Sequence, residues 1–263
     1  MVSRNRKEML RRCLASLEQS EARKKLQIIV VDNGSTDGSA RLDDEFPEVQ
    51  FVRLPKNFGL TKALNLGWRA ADAEYVLFLH DDTELEPGAV IRLAEALDAH
   101  PEAAAVCPLL IDASGNPGPQ LGELPPTGKW TAAQVAGNEP MEIDYPRGAA
   151  LMIRIISIKA IRQIDERYGQ FGSDADLATQ ILAANKKILL LPDVKVRHDG
   201  QRAETSLERA DFLSGRAVFL GKYRGAGAGF QARFSAILSA LFGFRFGELK
   251  HLLGGQKIDG TQA

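Results

Sequence analysis

The residues best suited to chemistry follow an apolar run at 75–79 and are His80, Asp81 and Asp82. An unbroken run of large apolar residues is typical of a strand buried on both faces of a parallel sheet. Acids at the carboxyl end of such a strand lie where open α/β sheets bind ligands. Because two neighbouring carboxylates repel, a cation or a shared proton must offset the cost. Carboxylate oxygens favour Mg²⁺ or Mn²⁺, ions that usually hold phosphates, so the stretch predicts a metal–diphosphate site.

Two plainer interpretations of this stretch stay open. The two acids would also suit a surface turn, and His80 would also suit a place in the core. The following Thr83-Glu84 could have formed a polar turn without two acids packed against Leu79, which favours the ligand site.

A second strand-end acid is Asp32, which follows Ile-Ile-Val-Val and precedes Asn33, Gly34 and Ser35. A carboxylate beside a glycine turn at this place can accept a hydrogen bond from a ribose or a base. An Asx turn without any ligand explains the same residues equally well.

Two further places carry titratable groups. Asp174 and Asp176 open a predicted helix, where acids commonly cap the first turn and complement the helix dipole. The alternative is a general base, and helical spacing prevents both acids from facing the same way. His198 ends a predicted strand, and a lone histidine is more often structural than a ligand. The Asp82 cluster in the same chain favours a metal or diphosphate contact for His198.

The elements that must position these residues alternate along the first 110 residues. Apolar runs predict strands at 26–31, 49–54, 75–79 and 104–110, with helices at 6–19, 60–71 and 87–99 between them. Asn5 is the expected cap of the first helix. This alternation predicts a doubly wound, mostly parallel α/β sheet flanked by helices.

The rest of the chain changes character. Residues 112–146 are rich in proline and predict an excursion over the active face of the sheet. Strands are expected at 149–154, 187–191 and 194–197, with a helix at 174–184 and helices from 206 onward.

Composition bounds the function. Lys and Arg number 33 against 34 Asp and Glu, a formal net charge of −1, which gives no global case for nucleic-acid binding. The two cysteines lie in apolar segments and predict buried thiols, which fits a reducing cytoplasm. We detect neither a signal core nor an apolar run long enough to span a bilayer.

The carboxyl-terminal region carries an apolar stripe at helical spacing. Interpreted functionally, it predicts an interfacial helix that brings the chain to the inner face of the cell membrane. Packing on the domain or a homodimer contact explains the stripe equally well. Its members are Phe230, Phe234, Ile237, Leu238, Leu241 and Phe242, followed by Phe244, Phe246, Leu249, Leu252 and Leu253, with Arg233, Arg245, Lys250 and His251 nearby.

Taken together, these stretches resemble family 2 glycosyltransferases of GT-A fold, and most closely the rhamnosyltransferase-like branch. The matching segments lie at 30–39, 57–67, 75–90, 147–154 and 172–198, with a final match around Lys222-Tyr223. The resemblance covers nearly the whole chain, and it rests on six weak motifs that follow one another in the right order.

The resemblance implies a role for each candidate residue. Asp32, Gly34, Ser35 and Asp81 would bind the nucleotide-sugar. Asp82 matches the second acid of the family's DxD-type motif and would bind the metal together with His80 and His198. Asp174 matches the catalytic base. His80 departs from the Asp or Asn of many relatives, and Ser173 departs from their Glu.

The resemblance also implies an activity. The chain is expected to be an inverting, metal-dependent glycosyltransferase that uses Mg²⁺ or Mn²⁺ and acts on a glycan or lipid-linked acceptor. The expected division is a transferase domain at 1–205, with a nucleotide half at 1–110 and an acceptor half at 111–205, and a helical extension at 206–263. A sugar-phosphate nucleotidyltransferase and a catalytically silent binding protein are the alternatives.

The beginning of the chain departs from the family pattern. Only Met1, Val2 and Ser3 precede the Arg4-Asn5 that normally follows the first strand, so most of a central strand is missing. An empty slot would leave backbone donors and acceptors unpaired on both neighbouring strands. We expect Val2-Ser3 to be the end of that strand, and the start codon to have been assigned downstream of the natural one.

Overall fold

The computed structural model describes residues 1–198 and 205–255. Its helices are α1 (Lys7–Glu18), α2 (Leu60–Arg69), α3 (Ala89–Ala99), α4 (Ile155–Ile161), α5 (Ser173–Ala183), α6 (Ser206–Arg224), α7 (Ala226–Phe242) and α8 (Phe246–Leu253). Its strands are β1 (Val2–Ser3), β2 (Ile29–Asp32), β3 (Gln50–Arg53), β4 (Tyr75–Leu79), β5 (Thr83–Leu85), β6 (Ala103–Ile111), β7 (Pro119–Leu121), β8 (Thr131–Ala132), β9 (Met141–Ile143), β10 (Ala150–Arg154) and β11 (Lys187–His198).

The strands form a mixed sheet rather than the mostly parallel one that the sequence predicted. Strands β1, β2 and β3 pair in parallel, and β11 runs parallel to β6. Strand β10 lies between β4 and β6 and is antiparallel to both. Strands β5 and β9 are also antiparallel to β11. Local sequence predicts a strand but not its direction, because direction depends on the route of the preceding connection.

The predicted slot for the first strand holds β1. Val2 pairs in parallel with Val31 on one side and bridges to His80 on the other. The backbone of Ser3 accepts a hydrogen bond from Asn33 N. Strand β1 therefore links the three-stranded part of the sheet to β4, and it brings the carboxyl ends of β2 and β4 to either side of Ser3.

Helices cover the sheet on both faces. Alternate residues of β6 and β11 point into two separate apolar clusters, as expected for strands buried on both sides. Helices α1 and α3 pack on one face, while α2, α4 and α5 pack on the other. The GT-A-like α/β architecture is thus confirmed, with the sheet as the rigid layer that positions the strand ends.

Two local predictions need correction, and a third gains detail. Asn5 does not cap α1: its backbone adopts a positive φ of 52°, and its side chain accepts from Thr36 N instead. The two strands expected at 187–191 and 194–197 are one strand, β11, interrupted by a bulge between Leu191 and Lys195. The excursion at 112–146 contains the short strands β7, β8 and β9, since the polypeptide returns there to pair with β11.

The helical region begins close to the predicted boundary, because Thr205 forms a capping box with Glu208 at the start of α6. Residues 256–263 of the predicted extension lie outside the described residues. Asp176 on α5 anchors α6: its carboxylate receives hydrogen bonds from Lys222 at 2.9 Å and from Tyr223 at 2.8 Å. Within the described ranges, every helix is too short or too polar to cross a membrane.

Candidate active site

Three strand ends meet at one edge of the sheet. Ser3 of β1 is paired with Asp32 of β2, and its hydroxyl donates to Asp81 Oδ2 at 2.7 Å. The residue before Ser3, Val2, pairs with His80 at the end of β4. The short strand β1 therefore joins the predicted nucleotide-binding acid to the predicted metal-binding stretch.

The loop after β2 is held in one shape by buried amides. Asn33 donates to Asn57 Oδ1 at 2.9 Å and accepts from Phe58 N at 2.8 Å. Gly34 has a φ of 78°, and a Cβ there would lie 2.5 Å from the carbonyl carbon of Lys56. Only glycine fits this turn, which lets the loop approach the neighbouring segment closely.

Asp32 and Ser35 occupy the same loop. Asp32 is buried and its Oδ1 accepts from Ser35 N at 3.3 Å, so the acid bonds within its own loop, three residues on rather than the two of an Asx turn. The Ser35 hydroxyl accepts from Asn5 N at 2.9 Å. Both residues thus have local partners, and their role toward a nucleotide stays a prediction.

The acid pair is neutralised by a residue that the sequence did not single out. Arg6 donates through Nη1 to Asp81 at 2.7 Å and through Nη2 to Asp82 at 3.0 Å. Burial raises the pKa of Asp81, while Arg6 and Ser3 act in the opposite direction. The predicted need for a cation at two adjacent carboxylates is met here by a guanidinium.

His80, Asp82 and His198 form the cluster that could hold a metal. Their ligand atoms lie within 4.8 Å of one another. Asp82 Oδ1 lies 3.4 Å from His198 Nε2 and 3.8 Å from His80 Nδ1. That oxygen is buried, and within the described part of the chain no hydrogen bond of good geometry reaches it. An open carboxylate oxygen between two imidazoles fits a divalent cation.

The protonation states agree with a ligand set. Burial alone would raise the pKa of Asp82, but the adjacent imidazole of His198, with His80 and Arg6, holds it well below its usual range. Desolvation in the cleft lowers the pKa of His80, and the charge of Arg147 adds more to this effect than that of Arg6. At neutral pH the cluster therefore offers a carboxylate and a neutral His80, as metal binding requires.

Asp174 contacts the segment that leads into β10. Its carboxylate accepts from the Tyr145 hydroxyl at 3.0 Å and from Ala175 N at 2.9 Å, and its Cβ lies against Gly148. The next residue after Gly148, Ala149, accepts the backbone N–H of His80. The residues Gly148-Ala149 thus lie between Asp174 and His80. Burial raises the pKa of Asp174, and Tyr145 opposes that rise.

The structure separates the two acids of α5, as helical spacing predicts. Asp174 faces Tyr145 and Gly148, while Asp176 is buried and fully engaged by Lys222, Tyr223 and Gln180. An acid held by a lysine and two other side-chain donors is a structural anchor, which leaves Asp174 as the acid that can act in the cleft.

Arg147 and its neighbours complete the site and were not predicted as site residues. Arg147 lies 5.6 Å from the ring centre of Trp130, and Trp130 contacts Tyr145 at 4.9 Å between ring centroids. Arg147 and His198 line the same small cavity. The sequence could have pointed to Arg147, because it is the first residue of the matching segment 147–154. No role was predicted for it.

The Glycosyl transferase family 2 profile matches residues 1–155, more than half of the chain. The chain belongs to glycosyl transferase family 2. The matched region includes Asp32, the acid pair and Arg147. It ends before Asp174 and His198, whose roles stay predictions.

Curated relatives match shorter segments. An "N-acetylglucosaminyltransferase" of Mesorhizobium japonicum is 39% identical over 87 residues, which cover 31% of this chain and 20% of that protein. A "Poly-beta-1,6-N-acetyl-D-glucosamine synthase" of Staphylococcus epidermidis is 33% identical over 116 residues, which cover 43% of this chain and 26% of that protein. The matches thus span about a quarter or less of these relatives' length.

Solved structures share the fold. S. aureus TarS 1-349 in complex with UDP-GlcNAc has a TM-score of 0.62 at 16% identity, over 89% of this chain and 71% of that one. GalNAc-T7 with UDP, GalNAc and Mn2+ has a TM-score of 0.70 at 16% identity, over 96% of this chain and 55% of that one. These likenesses confirm the GT-A-like fold of this family 2 chain.

We predict that the His80, Asp82 and His198 cluster prefers Mn²⁺ to Mg²⁺ by about tenfold or more, because Mg²⁺ favours oxygen ligands while transition metals accept imidazole. Calorimetry with saturating UDP measures both affinities. His80→Asp replaces one imidazole with a carboxylate and should reduce the ratio of Mn²⁺ to Mg²⁺ affinity. Asp82→Asn should abolish the binding of both ions. His100→Asp, on the distant α3 end, is the matched control. Unchanged Mn²⁺ affinity in Asp82→Asn would remove that residue from the site.

Proposed function

We propose that this family 2 chain is an inverting, metal-dependent glycosyltransferase that moves a sugar from a nucleotide-sugar to an acceptor hydroxyl. One observation carries the proposal. A metal-ligand cluster at the end of β4 and a partly buried carboxylate, Asp174, flank the same two residues, Gly148 and Ala149. A diphosphate anchor and a general base on either side of one sugar are what a single displacement requires.

In this mechanism Asp174 accepts the proton of the acceptor hydroxyl as the oxygen attacks the anomeric carbon. The bond from that carbon to the diphosphate oxygen breaks, and the nucleoside diphosphate leaves with the electron pair. Tyr145 orients Asp174 through its hydroxyl. A metal held by His80, Asp82 and His198 would neutralise the leaving diphosphate. Arg147 adds a fixed positive charge near the same cluster.

The alternatives have less support. A sugar-phosphate nucleotidyltransferase would need a glycine-rich phosphate loop after the first strand, and the segment after β1 begins with Arg4-Asn5-Arg6. A silent binding protein would have no use for both a partly buried acid with a raised pKa, Asp174, and an open metal-ligand oxygen on Asp82.

The donor is proposed to be UDP-N-acetylglucosamine. The names of two relatives and the UDP-GlcNAc complex of TarS support this choice. The rhamnosyltransferase-like motifs favour an activated rhamnose as the second candidate. The acceptor is proposed to be a glycan or lipid-linked intermediate of cell-envelope synthesis, in line with the polysaccharide synthase among the relatives.

We propose that residues 1–205 form the transferase domain and that the helices after them hold the chain at the inner face of the membrane. Seven of the predicted apolar side chains on α7, α8 and their connection are exposed, whereas Leu252 is buried within the helix cluster. A basic groove between α6 and α7 contains Arg216, Arg224 and Arg245. The exposed members are Phe230, Phe234, Leu241, Phe242, Phe244, Phe246 and Leu253.

The donor proposal is tested by a thermal-shift panel of nucleotide-sugars with and without Mn²⁺. UDP-N-acetylglucosamine with Mn²⁺ should raise the melting temperature, because a ligand stabilises the folded chain by about 2.7 kcal/mol at one hundred times its Kd. Asp32→Ala should lose the shift, and N-acetylglucosamine 1-phosphate is the control. A larger shift with dTDP-rhamnose would assign the rhamnosyl donor. No shift with any nucleotide-sugar would count against the function.

For catalysis, Asp174→Asn should lower turnover by about 10²- to 10⁴-fold with donor affinity retained, because an amide cannot accept the proton. Wild-type turnover should rise as the pH increases through the raised pKa of Asp174, since only the carboxylate is a base. Donor consumption and product are followed by chromatography.

The matched control for that variant is Asp176→Asn, the same change two residues away. It should lower the free energy of unfolding, because Lys222 loses its buried charged partner and keeps Asp165, and leave turnover of the folded chain within a few-fold. Near-wild-type turnover in Asp174→Asn would transfer the role of base to another group.

Membrane contact is tested by co-sedimentation with anionic vesicles. The double change Phe242→Ser and Phe246→Ser should weaken binding by about tenfold or more, because each phenyl ring that leaves water contributes roughly 1.5–3 kcal/mol. Ile156→Ser, an equally exposed apolar residue on α4, is the control and should bind as wild type. Absence of wild-type pelleting at low salt, with a dimer in light scattering, would assign the stripe to a homodimer.

A further inference from the structure

Arg6 forms ion pairs with both carboxylates of the acid pair at once. Its two terminal nitrogens lie 2.7 Å from Asp81 Oδ1 and 3.0 Å from Asp82 Oδ2. Both carboxylate side chains are 5% exposed, whereas the Arg6 side chain is 33% exposed. The acids are therefore fixed in the protein, and the guanidinium reaches them from the open side of the cleft.

The backbone of Arg6 is held by the predicted nucleotide loop. Its neighbours on either side donate backbone hydrogen bonds into that loop, Asn5 to Ser35 and Lys7 to Asp37. A fixed backbone with a long flexible side chain lets the guanidinium move without any change in the fold. The link also places Arg6 between the nucleotide loop and the metal cluster.

Arg6 and a metal would compete for the same carboxylate. The arginine holds Oδ2 of Asp82, while the ligand cluster uses Oδ1 of that residue. With Arg6 in place, one positive charge already faces the two acids, so a divalent ion would add repulsion between cations. A donor diphosphate reverses this balance, because it brings negative charge that the displaced guanidinium can bind.

We propose that Arg6 is the resident counter-ion of the Asp81–Asp82 pair, that a divalent metal must displace it, and that the freed guanidinium then contacts the donor diphosphate. The inference rests on the metal site of the proposed function. It makes metal and donor binding mutually dependent: each ligand improves the site for the other, as reciprocal coupling requires.

The test is Mn²⁺ affinity without nucleotide, followed by electron paramagnetic resonance of the free ion. Arg6→Gln should bind Mn²⁺ about tenfold or more tightly than wild type. In the wild type, the chains in which Arg6 is paired with the two acids cannot bind the metal, and the apparent affinity falls in proportion to the fraction of chains that can. Arg147→Gln is the matched control, since it removes a positive charge that acts on His80 at least as strongly as Arg6 does. Its gain in affinity should be clearly smaller than that of Arg6→Gln.

Addition of UDP should raise the Mn²⁺ affinity of the wild type more than that of the variant. Wild-type Mn²⁺ affinity should rise strongly when UDP is added, and that of Arg6→Gln should rise less, because the variant lacks the guanidinium that bridges to the diphosphate. Equal or weaker Mn²⁺ affinity in folded Arg6→Gln, or an equal gain in Arg147→Gln, would overturn the inference while leaving the metal site intact. No Mn²⁺ binding by any chain would overturn both.

Should Arg6→Gln fail to fold, the wild type answers the question by nuclear magnetic resonance of its arginine side chains. The two-armed ion pair hinders rotation of the Arg6 guanidinium, so its terminal nitrogens should give separate signals without metal. Titration with diamagnetic Zn²⁺ should merge them if the metal displaces Arg6. Separate signals at saturating Zn²⁺ would overturn the inference.

Discussion

The structure of the site depends on one electrostatic constraint, two adjacent carboxylates that are almost fully removed from water. Asp81 and Asp82 cannot both stay ionised there without positive charge or hydrogen-bond donors close by. Ser3 and Arg6 supply these groups from the beginning of the chain, and the imidazoles of His80 and His198 lie beside the remaining oxygen of Asp82. The short strand β1, the residue before α1 and the end of β11 therefore all meet at the acid pair.

The two acids of α5 also differ in their partners. Asp176 is used to attach the helical region through Lys222 and Tyr223, and Asp174 is left in the cleft with a tyrosine as its partner. The anchor connects α6 to α5, the helix that carries the proposed base. A transferase that works on a lipid-linked acceptor would gain a fixed distance between the membrane surface and the reacting hydroxyl.

The antiparallel strand β10 explains why Arg147 and Asp174 belong to the site. Because β10 runs against β4, its entrance lies beside the end of β4, and Gly148-Ala149 pass directly next to His80. A parallel strand at this place would have put its entrance at the opposite edge of the sheet. The direction of one strand thus brings Arg147 and the proposed base, Asp174, to the side of the sheet that carries the candidate metal cluster.

The sequence by itself determined the alternating elements, the buried strands, the ligand types at strand ends and the family, because these are local properties of periodicity and residue chemistry. It identified Asp32, Asp82, Asp174 and His198 as candidates. Tertiary structure decided the sheet's mixed direction, the different surroundings of Asp174 and Asp176, and the partnership of Arg6 with two acids 75 and 76 residues away in the chain. Those outcomes depend on which segments become neighbours, and spacing along the chain carries no information about the partner of a long, flexible, charged side chain.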